Sequence, residues 1–183
     1  MGKTGVLVLA AGAGKRMGRP KATLPWQKTT LLGHNLATAQ TITDQIMVVL
    51  GAHANEITNT IPQGITICNH TDWALGMGSS IAAGIKKMKM TMVLDQVLIM
   101  LVDQPLIDAT YLNAMLKTSE MYPQKIVATD YGNRAGVPAL FPKKYWTDLV
   151  GLHGDHGAKY LLVHHANNLV MVNASGKVAD IDT

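Results

Sequence analysis

Residues 6–21 read VLVLAAGAGKRMGRPK, an apolar run that empties into a loop rich in glycine and positive charge. The apolar run does not alternate with polar residues, which is typical of a strand buried on both faces of a parallel sheet. A loop that follows such a strand lies at the carboxyl edge of the sheet, where open α/β sheets bind their ligands. The stretch therefore predicts a fold class and the place of a binding site.

The spacing of the loop argues against two nucleotide-binding signatures. A P-loop needs G-x-x-x-x-G-K-[ST], but Met17 stands where the second glycine belongs and no Ser or Thr follows a loop lysine. The dinucleotide fingerprint needs G-x-G-x-x-G and an acidic residue about 20 positions further on. Here Gly18 comes one position late, and the first acidic residue of the chain is Asp44. A nicotinamide cofactor is therefore disfavoured.

The remaining interpretation of the loop is a grip for a triphosphate. Backbone N–H groups of a glycine loop form a nest for anions, and basic side chains neutralise the phosphate charge. The loop carries Lys15, Arg16, Arg19 and Lys21. Arg16 offers a planar fork of donors for phosphate, whereas Lys21 is a compact point charge.

Composition agrees with a globular protein that binds an anionic small molecule. The chain has 183 residues, of which 48% are hydrophobic and 15% are charged, and its formal net charge is +4. The basic charge is local and only 5% of the residues are aromatic, so a nucleic-acid surface is not expected. Cys68 is the single cysteine, which argues against disulfides and cysteine-rich metal sites.

Targeting and membrane signals are not seen in the sequence. The N-terminus reaches its glycine loop without a signal-peptide pattern, and no apolar run approaches the ~18 residues of a membrane span. We therefore expect a soluble cytoplasmic protein without a membrane partner.

Short apolar runs alternate with helix-like stretches along the whole chain. The predicted strands are 4–10, 45–51, 64–68, 96–102, 125–129 and 168–172, and the predicted helices are 30–41, 52–60, 78–90, 108–121 and 155–165. This alternation predicts a three-layer, Rossmann-like α/β sandwich with a mainly parallel sheet and helices on both faces. No linker or repeat interrupts the pattern, so we expect a single domain over residues 1–183.

Motifs along the chain resemble, in the same order, those of the molybdopterin cytidylyl- and guanylyltransferases. They are LAAGAGKRMGRPK at 9–21, LPW at 24–26, TDWALGMGSSIAAGI at 71–85, LVDQP at 101–105, NRAGVPALF at 133–141, LHGDHGAKYLL at 152–162 and DIDT at 180–183. Ala11 stands where the guanylyltransferases usually have glycine, which resembles the cytidylyl branch. The resemblance implies a nucleotide-diphospho-sugar transferase-like fold with an N-terminal nucleotide-binding half and a C-terminal acceptor-binding half.

The resemblance also implies a reaction and its residues. A nucleotidyl group, CMP from CTP, would pass to a phosphorylated acceptor such as molybdopterin, with Mg²⁺ as cofactor and release of pyrophosphate. Arg16, Lys21 and Asp103 would act by positioning and electrostatics. Asp103 follows an apolar strand and Asp182 lies near the C-terminus, and both are expected metal ligands because Mg²⁺ prefers hard oxygen donors. A turn or cap for Asp103, and Asp180 in place of Asp182, are the alternatives.

Further residues follow from the same motifs. In the motif at 71–85, one alternative to nucleotide binding is that Ser79 or Ser80 caps the helix that follows Gly76. The implied nucleotide-binding residues are Leu9, Ala10, Ala11, Gly12, Gly14, Lys15, Arg16, Lys21, Gly76 and Ser80. The implied acceptor-binding residues are Arg134, Gly136 and Asp155.

The identity of the acceptor stays open at this point. Arg134 suits an acceptor phosphate, whereas Asp155 suits a metal, an acceptor hydroxyl or the cap of the 155–165 helix. Val137 departs from the Gly-His-Pro that molybdopterin cytidylyltransferases often have. The alternatives are therefore a transferase for another phosphorylated acceptor and a non-catalytic accessory protein of molybdoenzyme maturation. The resemblance implies transient contact with a molybdoenzyme or a chaperone.

Overall fold

The strand Thr4–Ala10, β1, is an interior strand of the main sheet of the protein. The computed structural model describes residues 2–14, 18–174 and 176–177. The strands in this part are β1 (Thr4–Ala10), β2 (Pro25–Trp26), β3 (Thr29–Thr30), β4 (Ile46–Leu50), β5 (Thr66–Asn69), β6 (Gln96–Leu101), β7 (Ile126–Asp130), β8 (Ala135–Pro142) and β9 (Leu169–Asn173). The helices are α1 (Leu31–Gln40), α2 (Ala54–Thr58), α3 (Met77–Thr91), α4 (Ala109–Met121), α5 (Trp146–Val150) and α6 (Ala158–His164).

The main sheet has the strand order β5-β4-β1-β6-β8-β7-β9. Neighbouring strands are parallel except for β8, which runs antiparallel to both β6 and β7. Strands β2 and β3 form a small separate hairpin. The predicted α/β class with a mainly parallel sheet is confirmed.

Side chains of β1 build two cores, one on each face of the sheet. Val6 and Val8 belong to a core shared with α1 and α4, whereas Leu7 and Leu9 belong to a core shared with α3, α5 and α6. Because neighbours in a strand point to opposite faces, a strand covered on both sides must be apolar at every position. This explains the unbroken apolar run at the start of the chain and confirms the three-layer arrangement.

Strand β8 was not among the predicted strands. It contains Gly136, Pro138 and Pro142, and glycine and proline weaken the sequence signal of a strand. Pairing with β6 and β7 nevertheless supplies its hydrogen bonds, and its residues 138–142 are buried. The short helix α5 was also missed, since five residues are too few for a periodic pattern.

Helix starts show one correct and two wrong predictions of capping. Asp108 caps α4, because its carboxylate accepts a hydrogen bond from the backbone N–H of Tyr111 at 2.9 Å. Neither Ser79 nor Ser80 caps α3; its first residue is Met77, Gly76 is at the cap position, and the Ser79 hydroxyl donates to the Gly76 carbonyl at 2.7 Å.

Asp155 does not cap a helix either. Helix α6 begins three residues later than predicted, at Ala158, and its cap position is Gly157, which has no side chain to accept a hydrogen bond. The carboxylate of Asp155 lies instead on the wall of a cavity. Among the described residues, no helix is long and apolar enough to cross a membrane.

Candidate active site

A cavity of about 500 Å³ opens at the carboxyl edge of β1 and β6. Its wall combines the glycine loop after β1, the start of α3, the residues after β6 and the loop before α6. The predicted site residues on this wall are Leu9, Ala10, Ala11, Gly12, Gly14, Lys21, Gly76, Ser80, Asp103 and Asp155. The structure therefore brings together most of the residues that the sequence motifs select.

Four predicted residues lie outside the described part of the chain. They are Lys15, Arg16, Asp180 and Asp182. Two further predicted residues, Arg134 and Gly136, are described but do not line the cavity.

Strand pairing explains why the glycine loop and Asp103 meet. Strands β1 and β6 are adjacent and parallel, with Leu9 paired to Leu101. Both strands end at the same edge of the sheet. Gly12, which follows β1, and Asp103, which follows β6, therefore both line the cavity at that edge.

The position of Lys21 is fixed by a tight turn. Residues Lys21–Thr23 form one 3₁₀ turn, in which the hydroxyl and the backbone N–H of Thr23 both donate to the carbonyl of Pro20. Gly14 stands at φ 60°, and a Cβ there would overlap the Arg19 carbonyl, so glycine allows the two ends of the loop to approach.

Lys21 and Asp103 form an ion pair inside the cavity. The Nζ atom of Lys21 lies 3.1 Å from Oδ2 of Asp103, and their side chains are 24% and 22% exposed. The other carboxylate oxygen, Oδ1, is buried and has no hydrogen-bond partner among the described residues. An unsatisfied buried oxygen of this kind is costly unless a ligand completes it.

The carboxylate of Asp103 fits a divalent metal. Mg²⁺ is usually held in phosphate-transfer sites by one or two carboxylates together with substrate phosphates and water. Asp103 supplies a hard oxygen with an unused position, and Asp155 also lines the cavity. Within the described residues there is no cluster of three or more His, Cys, Asp or Glu side chains that would hold a metal by itself. The site therefore fits an ion that arrives with phosphate ligands.

The start of α3 also lines the cavity. Gly76 has a φ of 101°, and the N–H of Gly78 donates to the carbonyl of Gly154 at 2.9 Å. Ser80 is buried beside them, one turn into the helix. These small residues let the backbone approach whatever fills the cavity.

Trp73 and Met77 also line the cavity, although neither was predicted as a site residue. Trp73 is half-buried and packs against Gly51, where an added Cβ would lie 2.6 Å from the Trp73 Cβ. Met77 keeps 47% of its surface exposed at the first position of α3. Both residues lie inside the 71–85 motif, and this position could have indicated them. Only the small residues Gly76 and Ser80 of that motif were predicted to be in the site.

A separate network surrounds Tyr131 in the second half of the chain. The amide of Gln104, a buried side chain, donates to the Tyr131 hydroxyl at 2.6 Å and to the carbonyl of Val137 at 3.1 Å. The Tyr131 hydroxyl donates to the same carbonyl at 2.6 Å. Since Gln104 follows Asp103 directly, this network connects the 131–137 segment to the part of the cavity that Asp103 lines.

Arg134 and Gly136 both contact the Tyr131 ring. The guanidinium carbon of Arg134 lies 4.4 Å from the ring centroid, a cation–π arrangement. A Cβ on Gly136 would lie 2.5 Å from the Tyr131 Cε2 atom, so only glycine leaves room for the ring. The structure thus joins two of the predicted acceptor residues around an aromatic side chain that was not predicted.

Comparison with known proteins assigns the family. Residues 6–169 match the model of the MobA-like NTP transferase domain. The chain belongs to this family. The recognition of a molybdenum-cofactor nucleotidyltransferase-like protein from its motifs is therefore confirmed, and a nucleotidyltransferase domain accounts for most of the chain.

Three relatives of this MobA-like chain bear on its activity. It is 38% identical to the nicotine blue oxidoreductase of Paenarthrobacter nicotinovorans, over 98% of this chain and 92% of that protein. It is 32% identical to the molybdenum cofactor cytidylyltransferase of Escherichia coli K12, over 43% of this chain and 42% of that protein. The crystal structure of Rv0371c from Mycobacterium tuberculosis H37Rv in complex with manganese superposes with a TM-score of 0.79 and 25% identity, over 99% of this chain and 94% of that one.

Proposed function

We propose that this MobA-like protein transfers CMP from CTP to a phosphorylated acceptor and releases pyrophosphate. The observation that carries the proposal is the cavity in which Lys21 and Asp103 face each other beside a glycine loop. A cation for phosphate, a carboxylate for metal and a nest of backbone N–H groups are the parts that phosphoryl chemistry needs.

In this proposal, different residues bind the triphosphate and the metal. Backbone N–H groups between Ala10 and Gly14, together with Lys21, would hold the phosphates, and Lys15 and Arg16 would complete this grip. Asp103 would hold Mg²⁺, with Asp182 as a second ligand. When bound, the ion supplies charge neutralisation for the phosphate oxygens.

The transfer itself needs no covalent intermediate on the protein. An oxygen of the acceptor forms a bond to the α-phosphorus while the bond from that phosphorus to the bridging oxygen breaks. The electron pair of the broken bond leaves with pyrophosphate. An acceptor phosphate is already ionised at neutral pH, so the chain has to orient the reactants rather than remove a proton.

The choice of CTP rests on the start of the glycine loop. Ala11 in the LAAG motif resembles the cytidylyl branch, and a part of the chain resembles the cytidylyltransferase of Escherichia coli K12. In this proposal Gly76 and Ser80 lie beside the base and ribose, as the motif resemblance implies, and both line the same cavity as Lys21.

The acceptor half of the single domain would comprise the second half of residues 1–183. Arg134 would bind the acceptor phosphate, and Asp155 would face it from the cavity wall. Molybdopterin is the first acceptor to test because the cytidylyltransferase relative is named for the molybdenum cofactor. Delivery of the product would involve transient contact with a molybdoenzyme or a chaperone.

The test measures the transfer of a labelled α-phosphate from CTP to the acceptor. Protein, Mg²⁺, molybdopterin and CTP labelled at the α-phosphate are incubated, and the proposal expects labelled CMP on the acceptor together with pyrophosphate. A panel of other phosphorylated acceptors replaces molybdopterin if that reaction gives no product. Tight CTP binding without pyrophosphate for any acceptor would contradict transfer and favour an accessory protein that binds nucleotide.

A redox activity is the second candidate, and one observation favours it. The relative that is 38% identical over nearly the whole chain is named nicotine blue oxidoreductase. The glycine spacing and the position of Asp44 speak against a nicotinamide cofactor. Oxidation of NADH or NADPH by the protein in the presence of nicotine blue, at a rate unaffected by Asp103→Ala, would favour the redox candidate over transfer.

A further inference from the structure

The ammonium of Lys21 occupies the carboxylate of Asp103, which is the group that the proposed function gives to a divalent cation. Asp103 carries a single negative charge, and its Oδ2 atom is 3.1 Å from the Lys21 ammonium. A divalent cation on either carboxylate oxygen would therefore stand beside that ammonium. Both side chains are less than a quarter exposed, so water screens the repulsion between the two cations only in part.

We propose that Lys21 keeps divalent cations off Asp103 until a triphosphate draws the ammonium away. The inference rests on the proposed function, because it takes a triphosphate to be the anion that enters the cavity. Lysine is suited to such an exchange, since its charge sits on a flexible four-carbon stem and can follow a new anion.

The triphosphate changes the charge balance of the cavity. The ion pair is neutral by itself, and a lone divalent cation would leave the pair with a net charge of two. A triphosphate brings several negative charges that hold both the ammonium and the cation. Coupling of this kind is reciprocal, so triphosphate must raise the affinity for the cation by the same factor as the cation raises the affinity for triphosphate.

The buried oxygen of Asp103 gives the cation its place once the ammonium has moved. Oδ1 has no hydrogen-bond partner among the described residues and lies on the same carboxylate as Oδ2. The turn Lys21–Thr23 is held by Pro20 through the backbone, so the lysine side chain can move while its Cα stays in place. The device thus needs a side-chain rotation and no change of fold.

Manganese binding to the protein without nucleotide tests the inference. Mn²⁺ is the probe, because free Mn²⁺ is counted directly by electron paramagnetic resonance during a titration. Lys21→Met keeps most of the length of the side chain and removes its charge, so it is expected to tighten Mn²⁺ binding at least tenfold relative to wild type. Lys21→Met combined with Asp103→Asn is expected to lose the added affinity.

A matched control separates the local pair from net charge. Lys89 is exposed in the last turn of α3, about 18 Å along the helix axis from Met77 at the cavity. Lys89→Met removes the same charge and is expected to change Mn²⁺ affinity less than twofold. Equal Mn²⁺ binding by wild type, Lys21→Met and Lys89→Met would overturn the inference.

The two proposals can fail separately. If wild-type protein releases pyrophosphate but Lys21→Met binds Mn²⁺ no more tightly, the exchange at Asp103 is wrong and the transfer stands. If Lys21→Met tightens Mn²⁺ binding as expected but no acceptor yields pyrophosphate, the competition for Asp103 stands and the transfer is wrong.

Discussion

The backbone of Gly76 lies directly against the backbone of Gly154, with no side chain between them. This contact joins the start of α3 to the loop before α6, and the hydrogen bond from Gly78 N–H to the Gly154 carbonyl fastens it at 2.9 Å. Asp155 follows Gly154 and lines the cavity that Gly76 also lines. The close approach of these two glycines therefore places the carboxylate of Asp155, from the second half of the chain, beside Gly76 on the cavity wall.

Gly76→Ala is expected to lower the free energy of unfolding by about 2 to 4 kcal/mol, because the backbone conformation is strained for alanine and the new Cβ meets Gly154 and Asp155. Urea denaturation measures the loss. Gly64→Ala is the matched control, since Gly64 also has a positive φ of 87° but nothing within 4 Å of an added Cβ. Equal losses in the two variants would show that the contact with Gly154 contributes nothing.

Gly136→Ala is expected to disturb the acceptor side and to spare the nucleotide side. The new Cβ would displace the Tyr131 ring, and with it the stacking of Arg134 and the hydrogen bond to Val137. The KM for the acceptor should rise at least tenfold while the thermal shift with CTP stays that of wild type. Tyr131→Phe keeps the ring and should raise this KM less; a normal KM in Gly136→Ala would contradict the placement of the acceptor.

Asp108 is expected to make stability depend on pH. The Nζ atom of Lys177 donates a hydrogen bond to its Oδ2 at 2.6 Å, and this bond, together with the one from the Tyr111 backbone, lowers the pKa of the Asp108 carboxyl below its ordinary value of 3.8. A lowered pKa in the folded state gives stability that is present above pH 3.8 and is lost as the pH falls through the folded value.

Two substitutions separate the charge of Asp108 from its capping role. Asp108→Asn keeps an acceptor for the cap and removes the charge, so it should cost about 0.5 kcal/mol at pH 7, since the carboxylate is half exposed. Asp108→Ala also loses the cap and should cost about 1 kcal/mol more. Unfolding by urea at pH 7 and pH 2 checks this, and a difference between wild type and Asp108→Asn that persists at pH 2 would disprove the linkage.

CTP is expected to stabilise the protein more than GTP, ATP or UTP when Mg²⁺ is present. At a ligand concentration of about 100 times Kd, binding adds roughly 2.7 kcal/mol to the stability of the folded state. For a chain of this size that corresponds to a rise in Tm of roughly 5 to 10 °C. A larger rise with GTP would show that Ala11 does not indicate the base.

The sequence predicted the sheet well where burial on both faces imposes a continuous apolar run, as in β1, β4 and β6. It failed for β8, because pairing to β6 and β7 outweighs the low strand preference of Gly136 and Pro138. Asp108 was a correct cap because its carboxylate reaches a nearby backbone N–H, which depends on local sequence alone.

The sequence predicted many of the residues that line the cavity, but it did not predict the contacts between them. Spacing brought the glycine loop and Asp103 to one edge, since both follow neighbouring parallel strands. Nothing in the spacing shows that Gly76 touches Gly154 or that Tyr131 fills the space beside Gly136, because these contacts join residues far apart in the chain. The capping roles given to Ser79 and Asp155 were wrong because α3 begins at Met77 and α6 at Ala158, so neither residue stands at the cap position of its helix.

The rate of pyrophosphate release from CTP by Lys21→Ala and Asp103→Ala, compared with wild type, tests the central claim most directly. Both variants are expected to keep the fold, as judged by circular dichroism and Tm, and to lose transfer, because each removes one of the two charges that face each other in the cavity. A folded variant that retains more than about a tenth of the wild-type rate would contradict the claim that this cavity carries the reaction, since a tenfold loss is only about 1.4 kcal/mol of transition-state stabilisation.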